Sequence, residues 1–164
     1  MVIFIGIFDC YCYITICMGN DSKVIPRKEC MKKFYFAGSI RGGRERVGTY
    51  VVMNELLNKY GEVLDKHVGS PDVFKMEEGL TSEQKYQRDV DWIQECDMLV
   101  AEVSTPSLGV GYEVAYAEKC GKRIICCHDE AVTIGCMISG NPHCEIISYR
   151  DEDDLLIKLE EKIK

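Results

Sequence analysis

The chain has 164 residues, 46% of them hydrophobic and 29% charged, with a formal net charge of −7. That length favours one domain with room for a proper core, and the composition is that of an ordinary globular chain. The acidic balance argues against a nucleic-acid polymer as partner, because phosphate backbones need a basic face; a small anionic substrate received by a local basic loop stays open.

Residues 1–30 stand apart. "MVIFIGIFDCYCYITICMGND" is apolar and aromatic, interrupted by Asp9, with no basic leading region and no clear small-x-small cleavage site. It is short for a membrane span, so attachment to a membrane is not expected. The preferred reading is a poorly ordered or apolar extension, with a signal or anchor segment as the alternative, ahead of a single domain over residues 31–164. The ten cysteines form no paired C-x-x-C knuckles, and His67, His128 and His143 are scattered. Ligand spacing therefore indicates no metal site, and reduced, mostly buried thiols are expected.

From Lys33 the pattern alternates between strands and helices. "KFYFAG" reads as a buried strand. "RERVGTYVVMNELLNKYG" reads as a helix, with Val47, Val51, Leu56 and Tyr60 near helical spacing and Gly61 as its stop. "EVLDKHV" reads as a second strand, and "TSEQKYQRDVDWIQECD" as a helix started by Thr81 or Ser82. "DMLVAEV" is a third strand, "GVGYEVAYAEKCG" a helix and "KRIICCH" a fourth strand. "AVTIGCMISG" follows as a short helix, "EIISY" as a fifth strand, and "DEDDLLIKLEEKIK" as a closing helix with its charges placed as the dipole prefers. This order predicts an α/β fold of three layers, flavodoxin- or Rossmann-like, with a five-stranded parallel sheet covered by helices on both faces.

In such a sheet, ligands bind beyond the carboxyl ends of the strands. Two loops stand there with suitable chemistry. "GSIRGGR", residues 38–44, offers three glycines, a hydroxyl, and Arg41 and Arg44 ahead of a helix. Glycines let backbone N–H groups approach an anion, and a guanidinium can fork onto a phosphate. A flexible turn with solvated arginines reads equally well. "STPSLGVGYE", residues 104–113, looks like half a phosphate loop but ends in Glu113 instead of a lysine and a hydroxyl.

Two carboxylates fall on inward helix faces. Asp89 shares a stripe with Tyr86, Ile93 and Cys96, whereas Asp91 points to water. Glu113 lies between Val110 and Ala117 in the first turn of its helix. The bland alternatives are a structural hydrogen bond for Asp89 and dipole complementation for Glu113. Together they suggest glycosidic bond chemistry, one carboxylate attacking the anomeric carbon and the other protonating the leaving group.

"YFAGSIRGGR" (35–44), "RDVDWIQECDMLVAEVS" (88–104) and "PSLGVGYEVAYA" (106–117) together resemble the 2′-deoxynucleoside 5′-phosphate N-hydrolase family, within the nucleoside 2-deoxyribosyltransferase superfamily. The resemblance runs from about Lys33 to the final helix. It implies hydrolysis of the N-glycosidic bond of a 2′-deoxynucleoside 5′-monophosphate, giving free base and 2-deoxyribose 5-phosphate through a covalent sugar–enzyme intermediate. Glu113 falls on the family's nucleophile, Asp89 on its acid/base group, and Tyr35 on the tyrosine that orients them. Gly38, Ser39, Ile40, Arg41, Gly42, Ser107 and Gly109 fall on the sugar- and phosphate-binding loops. The resemblance also implies a cytoplasmic (or additionally nuclear) homodimer that needs no metal or other cofactor. The family adds a serine from the partner subunit to the phosphate, and the aligned place here is Gly135, which offers only its backbone N–H. The rival readings are a deoxyribosyltransferase that passes the sugar to a second base, a ribonucleotide N-glycosidase such as a cytidylate hydrolase, and a nucleotide-binding module without catalysis.

Overall fold

The computed structural model describes residues 31–164 with their side chains, and the backbone of residues 2–8, 11–18 and 21–26. The chain divides into two units, residues 1–31 and residues 32–164. In the first, β1 (Val2–Phe8), β2 (Tyr11–Met18) and β3 (Asp21–Pro26) form an antiparallel sheet in that order. No strands are expected there from the sequence pattern, although the β-branched and aromatic content of β2, "YCYITICM", suits one. The expectations of a poorly ordered extension, or of a signal or anchor, turn on side chains that lie outside the described residues.

The second unit opens with β4 (Lys32–Ala37), α1 (Val47–Tyr60) and the short β5 (Gly61–Val63). A 3-10 turn over Lys66–Gly69, α2 (Val73–Met76) and α3 (Ser82–Glu95) lead to β6 (Met98–Glu102). Next come α4 (Leu108–Lys119), β7 (Arg123–Asp129), α5 (Cys136–Ser139), β8 (Cys144–Tyr149) and α6 (Glu152–Ile163). The five strands pair in the order β5-β4-β6-β7-β8, all parallel. This is the expected three-layer α/β architecture with flavodoxin-like strand order.

Alternation along the strands sorts the core into two layers. Phe34 and Phe36 of β4, Val100 of β6 and Ile125 of β7 pack with Tyr50, Met53 and Leu57 of α1 and Leu155 and Leu159 of α6. Tyr35, Ala37, Leu99, Ala101, Ile124 and Cys126 turn the other way, against Ile93 of α3 and Val110, Val114 and Ala117 of α4. Tyr35, α3 and α4 therefore share one side of the sheet.

The helix starts are chemically specified. Thr81 and Gln84 form a reciprocal capping box on α3, and Ser107 and Asp151 cap α4 and α6. Among the described residues no helix is long and apolar enough to cross a membrane.

Some local expectations need correction. "EVLDKHV" is strand only through Val63, because β5 is an edge strand paired over three residues and the chain then turns into its 3-10 segment. On α1 the buried apolar residues are Tyr50, Met53, Leu57 and, as expected, Leu56, while Val51 is exposed. On α3 the buried pair is Val90 and Ile93, and Tyr86 is exposed beside Tyr112. Of the six described cysteines, Cys96, Cys126 and Cys127 are buried and Cys136 is exposed; none is in a disulfide.

Candidate active site

The chain leaves β4 towards β5 on one side and β6 towards β7 on the other. The loops after β4 and β6 separate at this switch in strand order and leave a crevice. At its floor they nearly touch. A Cβ on Gly42 would stand 2.6 Å from the Pro106 carbonyl oxygen and 2.8 Å from Ser39 Oγ, so the approach is open only to glycine.

Above this contact lies a cleft of about 510 Å³. Gly38, Ile40 and Arg41 line it from the first loop, and Ser107, Gly109 and Glu113 from the second loop and α4. Asp89 lines the same cleft from α3. Residues far apart in sequence thus meet in one place. Asp91, on the opposite side of α3, is exposed and accepts a hydrogen bond from Gln87 Nε2 at 2.7 Å.

Three expected binding residues lie differently from the rest. Ser39 is fully buried, its backbone N–H bonded to the Tyr50 hydroxyl oxygen at 3.1 Å, so its side chain stands behind the cleft wall. Gly42 supports the loop contact and does not line the cleft. Gly135, the residue before α5, lines a separate hollow of about 330 Å³ that shares Ser107 and Val110 with the first. Arg44 is not an anion receptor here. Its Nη1 and Nη2 donate to the carbonyls of Val68 and Ser70 at 2.8 and 2.6 Å and tie down the segment after β5. Arg41 stays exposed on the cleft, 6.0 Å from the centre of the Phe74 ring.

Beneath the cleft is a polar chain that the sequence pattern does not announce. Asp65, almost fully buried, is ion-paired with Nδ1 of His67. Arg88 reaches His67 Nε2 at 3.2 Å and Glu77 Oε1 at 3.3 Å through Nη2, and donates through Nε to Asp89 Oδ1 at 2.8 Å. Its guanidinium lies 4.9 Å over the Trp92 ring. Lys85 closes the set by pairing with Glu77 at 3.1 Å. Val63, Asp65 and His67 alternate in the sequence. Two ionisable residues continuing a buried strand face were the available signal.

Burial dominates the electrostatics. It pushes the Glu113 carboxyl up to about 8, and the charges of Asp65 and Asp89 push the same way. Burial also raises Asp89, against the pull of its bond to Arg88, and raises Asp65 to about 6 against the pull of His67. The Tyr35 hydroxyl, buried beside Asp65 and Glu113, is held well above its usual range by burial and by those negative neighbours. The cluster therefore retains protons near neutrality. A pair made of a nucleophile and a general acid needs one carboxyl ionised and one protonated, and such coupled carboxyls share that burden between them. Among the described residues no three His, Cys, Asp or Glu side chains converge as a metal-binding group.

The fold and this cleft define a doubly wound α/β protein with a carboxylate-lined site at the switch in strand order. The chain belongs to the nucleoside 2-deoxyribosyltransferase family, whose pattern matches residues 34–145. A Methanosarcina mazei protein bearing the provisional name 2′-deoxynucleoside 5′-phosphate N-hydrolase 1 is 38% identical over 136 residues, covering 81% of this chain and 84% of its own. The 5-hydroxymethyl-dUMP N-hydrolase of Esox lucius is 37% identical over 137 residues, covering 79% of this chain and 94% of its own. Among solved structures, the Clostridium botulinum CMP N-glycosidase BcmB superposes with a TM-score of 0.60 at 24% identity, covering 79% of this chain and 99% of its own. That likeness speaks for the fold.

Proposed function

We propose that this protein hydrolyses the N-glycosidic bond of 2′-deoxynucleoside 5′-monophosphates, releasing free base and 2-deoxyribose 5-phosphate. The observation that carries the reading is that Glu113 and Asp89 line one cleft with Arg41, Ser107 and Gly109. Two carboxylates and a guanidinium on one cleft suit a single small anionic ligand, which supports this reading. The relatives' names point to the same bond.

In this reading Glu113 attacks the anomeric carbon, forming a bond to the sugar as the bond to the base breaks. Asp89 gives its proton to the departing base and then takes one from the water that hydrolyses the intermediate. Tyr35, between Glu113 and Asp65, orients the nucleophile. The phosphate lies against Arg41, the Ser107 hydroxyl and the backbone around Gly109, at the start of α4, where partial positive charge favours an anion. Gly38 and Ile40 shape the wall, Gly42 lets the two loops close beneath it, and Ser39 supports it from behind.

The working unit in this reading is a cytoplasmic homodimer. Leu108, which lines the hollow that holds Gly135, is 97% exposed, and Met137 of α5 is 82% exposed. Large apolar side chains so exposed suit a subunit interface. Gly135 then offers the neighbouring phosphate a backbone N–H in place of a hydroxyl.

The test is a time course of base release from a panel of deoxy- and ribonucleoside monophosphates, run with and without a second base as acceptor. Release from dGMP or another deoxynucleotide without an acceptor is expected. Turnover only with an acceptor would make the protein a transferase, faster turnover of ribonucleotides would make it a ribonucleotide glycosidase, and binding without turnover would make it a binding module.

A further inference from the structure

The Tyr35 hydroxyl is fully buried with no hydrogen-bond partner among the described residues, yet it is close enough to two carboxylates, Glu113 and Asp65, for their charges to raise it. A phenol has one proton to donate. It can satisfy one carboxylate at a time, and the other must find its own donor. For Asp65 the partner at hand is His67, whose Nδ1 is ion-paired with it.

We propose that Asp65, held by His67, is a positioning residue that sets which carboxylate the Tyr35 hydroxyl serves, and so which group of the cluster carries a proton. This deepens the reading of Glu113 as nucleophile and rests on it for its catalytic consequence. In one arrangement Glu113 is protonated and donates to the Tyr35 oxygen, while Tyr35 donates to Asp65. His67 is then neutral, and Nε2 accepts from Arg88 Nη2 at 3.2 Å. In the other, Tyr35 donates to an ionised Glu113, and a protonated His67 alone balances Asp65. The two differ by one proton, lost by Glu113 and gained at His67 Nε2, where Glu77 Oε1 stands 3.5 Å away to receive the new N–H. Burial opposes a charge on His67, but its bond to Asp65 outweighs that and raises the imidazole.

The charged and titratable groups around this switch come from every neighbouring element. They are Tyr35 of β4, Asp65 and His67 after β5, Glu77 after α2, Lys85, Arg88 and Asp89 of α3, and Glu113 of α4. Lys85 and Arg88 both bond Glu77 and hold it ionised against the effect of its burial, so Glu77 can stabilise the imidazolium.

The experiment needs no substrate. Protein labelled with 13C at glutamate carboxyl carbons is titrated by NMR, and the Glu113 resonance is the one missing from Glu113→Gln. Asp65→Asn removes the competing charge and is expected to move the Glu113 midpoint down by about 1–3 pH units, the usual effect of one close charge. His67→Gln removes the counter-cation and is expected to move it up. The double variant should titrate like Asp65→Asn. If Asp65→Asn does not fold, Asp65→Ser is expected to act in the same direction. An unmoved midpoint in the folded Asp65 variant, or equal displacement in the same direction by both single variants, overturns the proposal. Failure to hydrolyse nucleotides would overturn the functional reading and leave this titration standing.

Discussion

Asp89 and Asp91 are two residues apart, and helical geometry sends one into the cleft and the other to solvent. In the proposed mechanism Asp89→Asn removes the proton that the leaving base requires, so kcat should fall by about 10²–10⁴, the usual worth of a positioned acid. Asp91→Asn should stay within a few-fold of wild type; equal losses in a steady-state assay would reverse the assignment. Glu113 carries a stability cost as well as its proposed catalytic role. Its carboxyl has an ordinary value of 4.5 in an unfolded chain and about 8 in the folded protein. Between those values the unfolded chain has released a proton that the native state keeps, so stability falls as pH rises through the window. Glu113→Gln removes that dependence. In denaturant titrations it should gain on wild type as pH rises from 5 to 8, by at most about 1.4 kcal/mol per pH unit. A variant that is destabilised at pH 8 would show that burial does not disfavour this charge.

At the scale of elements, the loops after β4 and β6 set the geometry of the cleft. Their contact at Gly42 leaves no space for a methyl group, since the nearest atom is a backbone oxygen that cannot swing away. Gly42→Ala should cost about 1–3 kcal/mol, as overpacking does, and raise KM for the nucleotide by spreading the loops. Gly48→Ala, two residues into α1 and with its nearest neighbour at 3.9 Å, is the matched control and should be neutral or slightly stabilising. Thermal denaturation with steady-state kinetics on both variants checks the pair. Equal behaviour would mean the loops are not held by this approach.

Most of the elements were legible in the sequence because parallel strands buried on both faces read as short apolar runs, as in "KFYFA" and "RIICC", and because Thr81 and Asp151 are recognisable caps. The two loops that line the cleft and its two carboxylates were legible from loop chemistry and helical spacing. The Asp65–His67–Arg88–Asp89 chain was not. It depends on β5 ending early and on a 3-10 turn swinging His67 under α3, contacts that no local period encodes. The role of Arg44 was hidden for the same reason: its partners are backbone carbonyls 24 and 26 residues on.

For the whole molecule, the proposed second subunit makes Gly135 informative. Its φ is −60°, and a Cβ added there would meet no atom within 4 Å, so Gly135→Ser faces no steric objection. If the segment reaches a phosphate across the interface, the added hydroxyl should lower KM for dGMP about 2- to 12-fold, one net hydrogen bond. A stable, dimeric Gly135→Ser protein with unchanged KM would remove this segment from the phosphate site.

The proposed reaction depends on Glu113 attacking the sugar of a deoxynucleoside monophosphate. Acid-quenching the enzyme during turnover of dGMP and weighing the peptide that contains Glu113 reads that step itself. Wild type should carry a 2-deoxyribose 5-phosphate adduct on that peptide, and Glu113→Gln should show neither adduct nor appreciable base release. Base release by Glu113→Gln at a near-wild-type rate would contradict the assignment of Glu113 as nucleophile.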